Sequence, residues 1–155
     1  MGARYITLSH NCHNKFADAA LEENPMRKAT PLHNGFSLAI CPHPRNVPDH
    51  VLELVKARNS VVLVNIAPDF IACRDVGAEN GLPITVPEES DLGRVVEHIM
   101  YIGDLIGYDH VGIGTDLDGI PSRPTGFEDV TKYPDLVAEL LRRGVSETDA
   151  GNCGW

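Results

Sequence analysis

No apolar run in this 155-residue chain approaches the ~20 residues that a helix needs to cross a bilayer. The start, Met1-Gly2-Ala3-Arg4-Tyr5, lacks both the apolar block of a signal peptide and the hydroxyl residue that a myristoylation signal wants at position six. With no transmembrane segment or anchor in view, a cytoplasmic location is the default expectation. Basic residues are scarce: 13 against 22 acidic ones, a net charge of −9, so nucleic acid and anionic membrane are poor partners. The four cysteines, Cys12, Cys41, Cys73 and Cys153, form no C-x-x-C pair and lie far apart, so reduced thiols are expected. Internal repeats and low-complexity tracts are missing too, and the length supports one core, hence a single domain over residues 1–155.

A periodic pattern is also missing from one long stretch. Residues 4–10 alternate β-formers and read as a strand ending at His10, but residues 11–47 show neither helical nor strand period. Pro25, Pro31, Gly35, Pro42 and Pro44 punctuate them. A structureless connection of that length is unusual inside a compact domain, which points to a large functional loop or to a unit cut out of the chain.

What is present alternates strand and helix. Asn46 as N-cap and Pro48 in the first turn start a helix with Val51, Leu54 and Val55 on one face and Asn59 at its end. The apolar run at residues 60–65 predicts a strand covered on both faces, ending in Asn65, and residues 66–90 read as a long loop. Ser90-Asp91 caps a helix whose Leu92, Val95, Val96, Ile99, Ile102 and Ile106 share one face, closed by Gly107. Residues 111–114 form a short buried strand that stops in Asp116-Leu117-Asp118-Gly119. A third helix runs from about Lys132 to Arg143, and Ser146 with Asp149 opens a fourth. This order predicts an α/β chain with a parallel sheet, with too few strands for a complete (β/α)8 barrel of ~250 residues.

Chemistry in such folds collects at the carboxyl ends of strands. His10, Asn65 and Asp116 are three polar strand ends on one expected rim. Asp116-Leu117-Asp118-Gly119 also matches the opening motif of haloacid-dehalogenase-type phosphatases, but no acidic magnesium-binding cluster follows it. A calcium loop fails for want of its third ligand position and terminal glutamate. Cys12, His13, Cys41 and His43 have zinc-ligand chemistry without the spacing of fingers or ribbons. His33, His50, His98 and His110 read as loop or helix-surface residues with no assigned role.

Four ordered blocks carry a more specific signal. Arg4-Tyr5-Ile6-Thr7-Leu8-Ser9-His10-Asn11-Cys12-His13 with its continuation to Asp18, Pro44-Arg45-Asn46-Val47-Pro48-Asp49, Gly112-Ile113-Gly114-Thr115-Asp116-Leu117-Asp118-Gly119, and Gly126-Phe127-Glu128-Asp129-Val130 onward to Arg143 together closely resemble the membrane (renal) dipeptidase family. The resemblance implies a (β/α)8-barrel hydrolase that cleaves dipeptides with two zinc ions sharing a bridging glutamate. By position it assigns His10 to the oxyanion, Arg45 to the dipeptide carboxylate, Asp116 to acid–base work and Phe70, in Asn65-Ile66-Ala67-Pro68-Asp69-Phe70, to the substrate wall. It also implies a loss. The family's His-x-Asp zinc pair and bridging glutamate have no counterpart, and the segment that should supply two further zinc histidines runs directly through Gly35-Phe36-Ser37-Leu38-Ala39-Ile40-Cys41. The tail Gly151-Asn152-Cys153-Gly154-Trp155 departs where the family continues its last helix. The expectation is therefore an incomplete barrel with no metal ligands of its own, no tightly bound zinc, no turnover and a tendency to self-associate. A non-catalytic protein binding a small carboxylate is the alternative function.

Overall fold

The computed structural model describes residues 36–153. Helix α1 (Asp49–Ala57) leads into strand β1 (Val62–Val64), the short helix α2 (Pro68–Ile71) and a two-strand hairpin, β2 (Cys73–Arg74) with β3 (Ile84–Thr85). Helix α3 (Leu92–Ile106), strand β4 (Val111–Ile113), α4 (Tyr133–Arg142) and α5 (Glu147–Asn152) complete the order. β1 and β4 pair in parallel, with Val62 opposite Val111, Leu63 opposite Gly112 and Val64 opposite Ile113. Parallel neighbours require a crossover, and α3 provides it. Among the described residues the parallel sheet has these two strands and does not close a barrel. No helix among them is long and apolar enough to cross a membrane.

α3 is the hub because its sequence gives it one continuous apolar stripe. Val95, Val96, Ile99, Ile102 and Ile106 are all buried, and the helix packs against α1, α4 and β4. Each such side chain withdrawn from water contributes about 1.5–3 kcal/mol, so this stripe dominates the core's favourable term. Asp91 caps the helix by accepting from the Arg94 N–H at 2.7 Å. Gly107 ends it at φ +98°, a conformation that favours glycine. The chain then turns through Tyr108, whose ring lies so close to Gly103 that any β-carbon there would overlap it. α4 adds Leu136 and Leu140 to the same core, and Ser146 caps α5 through the Asp149 N–H at 3.1 Å.

Four expectations need correction. Asn46 is not the cap of α1; Pro48 occupies that position, and the Asn46 side chain is buried and bonded elsewhere. β1 is not covered on both faces, since Val61 and Leu63 are each 49% exposed. The stretch 66–90 is not a plain loop: Asn65 accepts the Ala67 N–H at 2.7 Å and sets up α2, and a hairpin comes next. Cys41 and Cys73 are joined in a disulfide, where reduced thiols were expected; Cys153 alone of the described cysteines is free, and it is buried. Separated by 32 residues, the bridged pair has no local signature in the sequence. The predicted strand at residues 4–10, with His10, lies outside the described residues.

Candidate functional site

The carboxyl ends of β1 and β4 lie side by side, and the segment leaving β1, together with a stretch from before α1, builds the site. After β1, Asn65 and α2 carry Phe70 to the rim. The partner segment is residues 36–47, closed on itself by a parallel bridge between Ser37 and Val47, with the Leu38 N–H on the Val47 carbonyl at 3.0 Å. Near its end stands Arg45. Its guanidinium carbon lies 5.3 Å from the centroid of the Phe70 ring, within cation–π range. His43 meets the same ring edge-on with centroids 4.7 Å apart. Arg45, Phe70 and His43 are all half-buried, so the group is a partly desolvated face.

Three links hold this face together. The Cys41–Cys73 disulfide ties residues 36–47 to the strand after α2. The Asn46 amide donates to the carbonyls of Cys41 at 3.0 Å and Phe70 at 2.9 Å. His98, from α3, accepts the Ser37 N–H on Nδ1 at 3.1 Å and meets the Ile71 carbonyl with Nε2 at 2.9 Å. Because a backbone N–H donates to Nδ1, the proton of the neutral ring sits on Nε2 and donates to Ile71. His98 is thus a fully buried side chain on the inner face of α3, not a helix-surface residue. Helical spacing could have shown this: position 98 lies three beyond Val95 and four before Ile102.

The electrostatics follow from burial. Desolvation drives the His98 imidazolium down to about 4, more than its bond to Ile71 can offset. His43 is lowered by burial first and by the Arg45 charge second, with Asp69 opposing. Burial also lowers Arg45, which nonetheless remains a cation at any physiological pH. The Arg45 backbone N–H donates to His43 Nδ1 at 3.2 Å, so neutral His43 is the form that fits.

Asp116 lies just past β4 at the neighbouring strand end. Its φ is +55°, a left-handed conformation that costs a non-glycine residue about 1–2 kcal/mol. The turn is closed by the Gly119 N–H on the Asp116 carbonyl at 2.9 Å, and a β-carbon at Gly119 would overlap the Asp116 carboxylate. Beside it, Thr115 Oγ1 lies 3.3 Å from the Tyr133 hydroxyl. The carboxylate itself is exposed. Of the four residues expected to act, Arg45 and Phe70 are brought into contact, Asp116 stands at the adjacent strand end, and His10 lies outside the described residues.

The donor set does not suit a metal. Among the described residues no group of three or more His, Cys, Asp or Glu could hold an ion. Both nitrogens of His98 are committed to backbone, and the sulfur of Cys41 is in a disulfide rather than a thiolate. The described residues therefore do not fit a metal centre, and the Cys41/His43 half of the zinc alternative is lost in this oxidised form.

These features define a mixed α/β chain. It is similar to a metallopeptidase from Rhodobacter sphaeroides, solved with a phosphinate mimic of L-Ala-D-Ala, with a TM-score of 0.62 and 30% identity over 79% of this chain and 32% of that one. The membrane dipeptidase model (peptidase family M19) matches residues 29–155, and the chain belongs to that family. Dipeptidase aclJ of Aspergillus oryzae is 34% identical over 188 aligned positions, covering 96% of this chain and 42% of the relative. An uncharacterised dipeptidase of Schizosaccharomyces pombe is 37% identical over 189 positions, covering 96% and 43%. The chain thus spans about two fifths of the length of these relatives. Both alignments run longer than the chain's own 155 residues, so stretches within the relatives have no counterpart here.

Proposed function

We propose that this chain carries the carboxylate-recognition part of a dipeptidase-type site and binds dipeptides, or peptide-like carboxylates, without cleaving them. The contact between Arg45 and Phe70 is the observation that carries the reading. A guanidinium offers two parallel N–H donors matched to a planar carboxylate, and it is stronger where water is partly excluded. A guanidinium held against the Phe70 ring has less freedom left to lose when a carboxylate binds. On this reading residues 1–155 form one incomplete (β/α)8-type domain. The acid–base role for Asp116 and the oxyanion role for His10 belong to the same reading, as functions that a complete relative would use.

Zinc, two ions in the family, would supply the attacking water and bind the developing charge. The described residues do not fit it, so no step here runs through a metal. The supported activity is recognition. Titration calorimetry of the full chain with alanyl-alanine and with its C-terminal amide tests it. Preference for the free acid that disappears in Arg45→Leu supports the reading. Equal affinity for acid and amide in the unmodified chain refutes it.

A further inference from the structure

His98 is an unusual occupant of its place. Around it α3 presents only apolar side chains inward, and a leucine or methionine would fill the volume without the cost of burying an imidazole. What the ring gains is two backbone partners on opposite edges. The Ser37 N–H reaches Nδ1 at 3.1 Å, and Nε2 reaches the Ile71 carbonyl at 2.9 Å. Phe36 closes over its face with ring centroids 4.7 Å apart. Ile71 ends the one-turn helix α2 and Ser37 lies in a single bridge, both places where a buried N–H or C=O with no bond would be costly.

The identity of the two partners matters more than their number. Ser37 opens the segment that ends in Arg45, and it is itself paired with Val47, two residues beyond Arg45. Ile71 directly follows Phe70. One rigid ring, anchored in the most regular helix of the molecule, therefore sets the separation between the backbone that carries the guanidinium and the backbone that carries the aromatic wall. The disulfide and Asn46 join the same two segments to each other. His98 refers both of them to a third element, the crossover helix.

We propose that His98 is a positioning residue for the Arg45–Phe70 face: through Ser37 and Ile71 it fixes the separation at which guanidinium and ring receive one carboxylate, and so governs selectivity for a carboxylate over a neutral carboxamide. This rests on the carboxylate-binding proposal, and its test keeps the two separable. His98→Gln retains a donor toward Ile71 and gives up the acceptor for Ser37. His98→Asn does the reverse, and His98→Leu removes both.

Each full-length variant is examined by calorimetry with alanyl-alanine and its amide, and by amide hydrogen exchange. The acid-to-amide affinity ratio should fall about tenfold in His98→Leu, the worth of about one well-placed hydrogen bond to a charged group, and by intermediate amounts in the two amide variants. Exchange should quicken at residues 36–47 and 70–72 while the amides of α4 keep their protection. An unchanged ratio in variants that fold overturns the proposal, as does exchange that quickens uniformly, the mark of a merely structural role. Should His98→Leu fail to fold, the Gln and Asn variants decide by the same criteria. If the unmodified chain does not distinguish acid from amide, the carboxylate reading falls. The exchange pattern then judges positioning alone: a loss confined to the two segments supports it, and a uniform loss overturns it.

Discussion

Acid should destabilise this fold through His98 well before its carboxylates are neutralised. Buried among Phe36 and the α3 core, the ring is held neutral and titrates at about 4, against 6.5 for the free side chain. Between those values the unfolded chain binds a proton that the folded chain refuses. The stabilising contribution is therefore fully present above pH 6.5 and is lost as pH falls through about 4. At 1.36 kcal/mol per pKa unit, the difference amounts to about 3 kcal/mol, a large share of the ~5–15 kcal/mol that holds a domain together. His43 is depressed too and acts in the same direction. Glu139, held to about 2 by Arg142 and Arg143 against an ordinary 4.5, adds its own loss only from about pH 4.5 downward. Urea unfolding between pH 7 and pH 4 should show stability dropping by up to ~1.4 kcal/mol per pH unit within the window. His98→Gln, which cannot titrate, should start lower at pH 7 and have a much flatter profile. Equal slopes for the two proteins would refute the assignment of the burial penalty to His98.

The left-handed backbone at Asp116 predicts that Asp116→Val loses about 1–2 kcal/mol in chemical denaturation while Asp116→Gly loses nothing or gains slightly; equal losses would remove the claim of strain. Closing a loop between residues 32 apart, the Cys41–Cys73 bridge should contribute about 3–4 kcal/mol, read as the shift in urea midpoint on adding a dithiol. The exposed Leu63 and Val61 beside an incompletely covered two-stranded sheet predict self-association. Leu63→Lys should shift the sedimentation profile toward monomer, and an unmodified chain that is already monomeric at high concentration would contradict this.

What the sequence made legible was the part whose order is local. α3 and α4 could be placed from apolar spacing and capping because their stability comes from one face repeating along one segment. β4 and the Asp116 turn were readable from an apolar run broken by aspartates and glycines. Residues 36–47 were not, since they have no period of their own; they take their shape from Asn46, His98 and a disulfide, all bonds to residues distant in the chain. Asn46 illustrates the error, because its position before Pro48 mimics a helix cap while its amide is spent on Cys41 and Phe70. His98 was misjudged for another reason: its spacing put it inside, but its residue type argued for the surface. Arg45 and Phe70 were named through a family resemblance, since nothing in their local sequence shows that the guanidinium and the ring lie in contact.

The most direct test of the account is a hydrolysis assay on the full chain. Purified protein, with and without added zinc, is incubated with a panel of dipeptides, and free amino acids are monitored by mass spectrometry beside Asp116→Asn. A positioned acid–base group contributes about 10²–10⁴-fold to turnover in a working site. The account predicts that dipeptides are bound and recovered intact and that Asp116→Asn changes nothing. Sustained cleavage by the unmodified chain, lost in Asp116→Asn, would mean that these residues assemble a complete active site, and would contradict it.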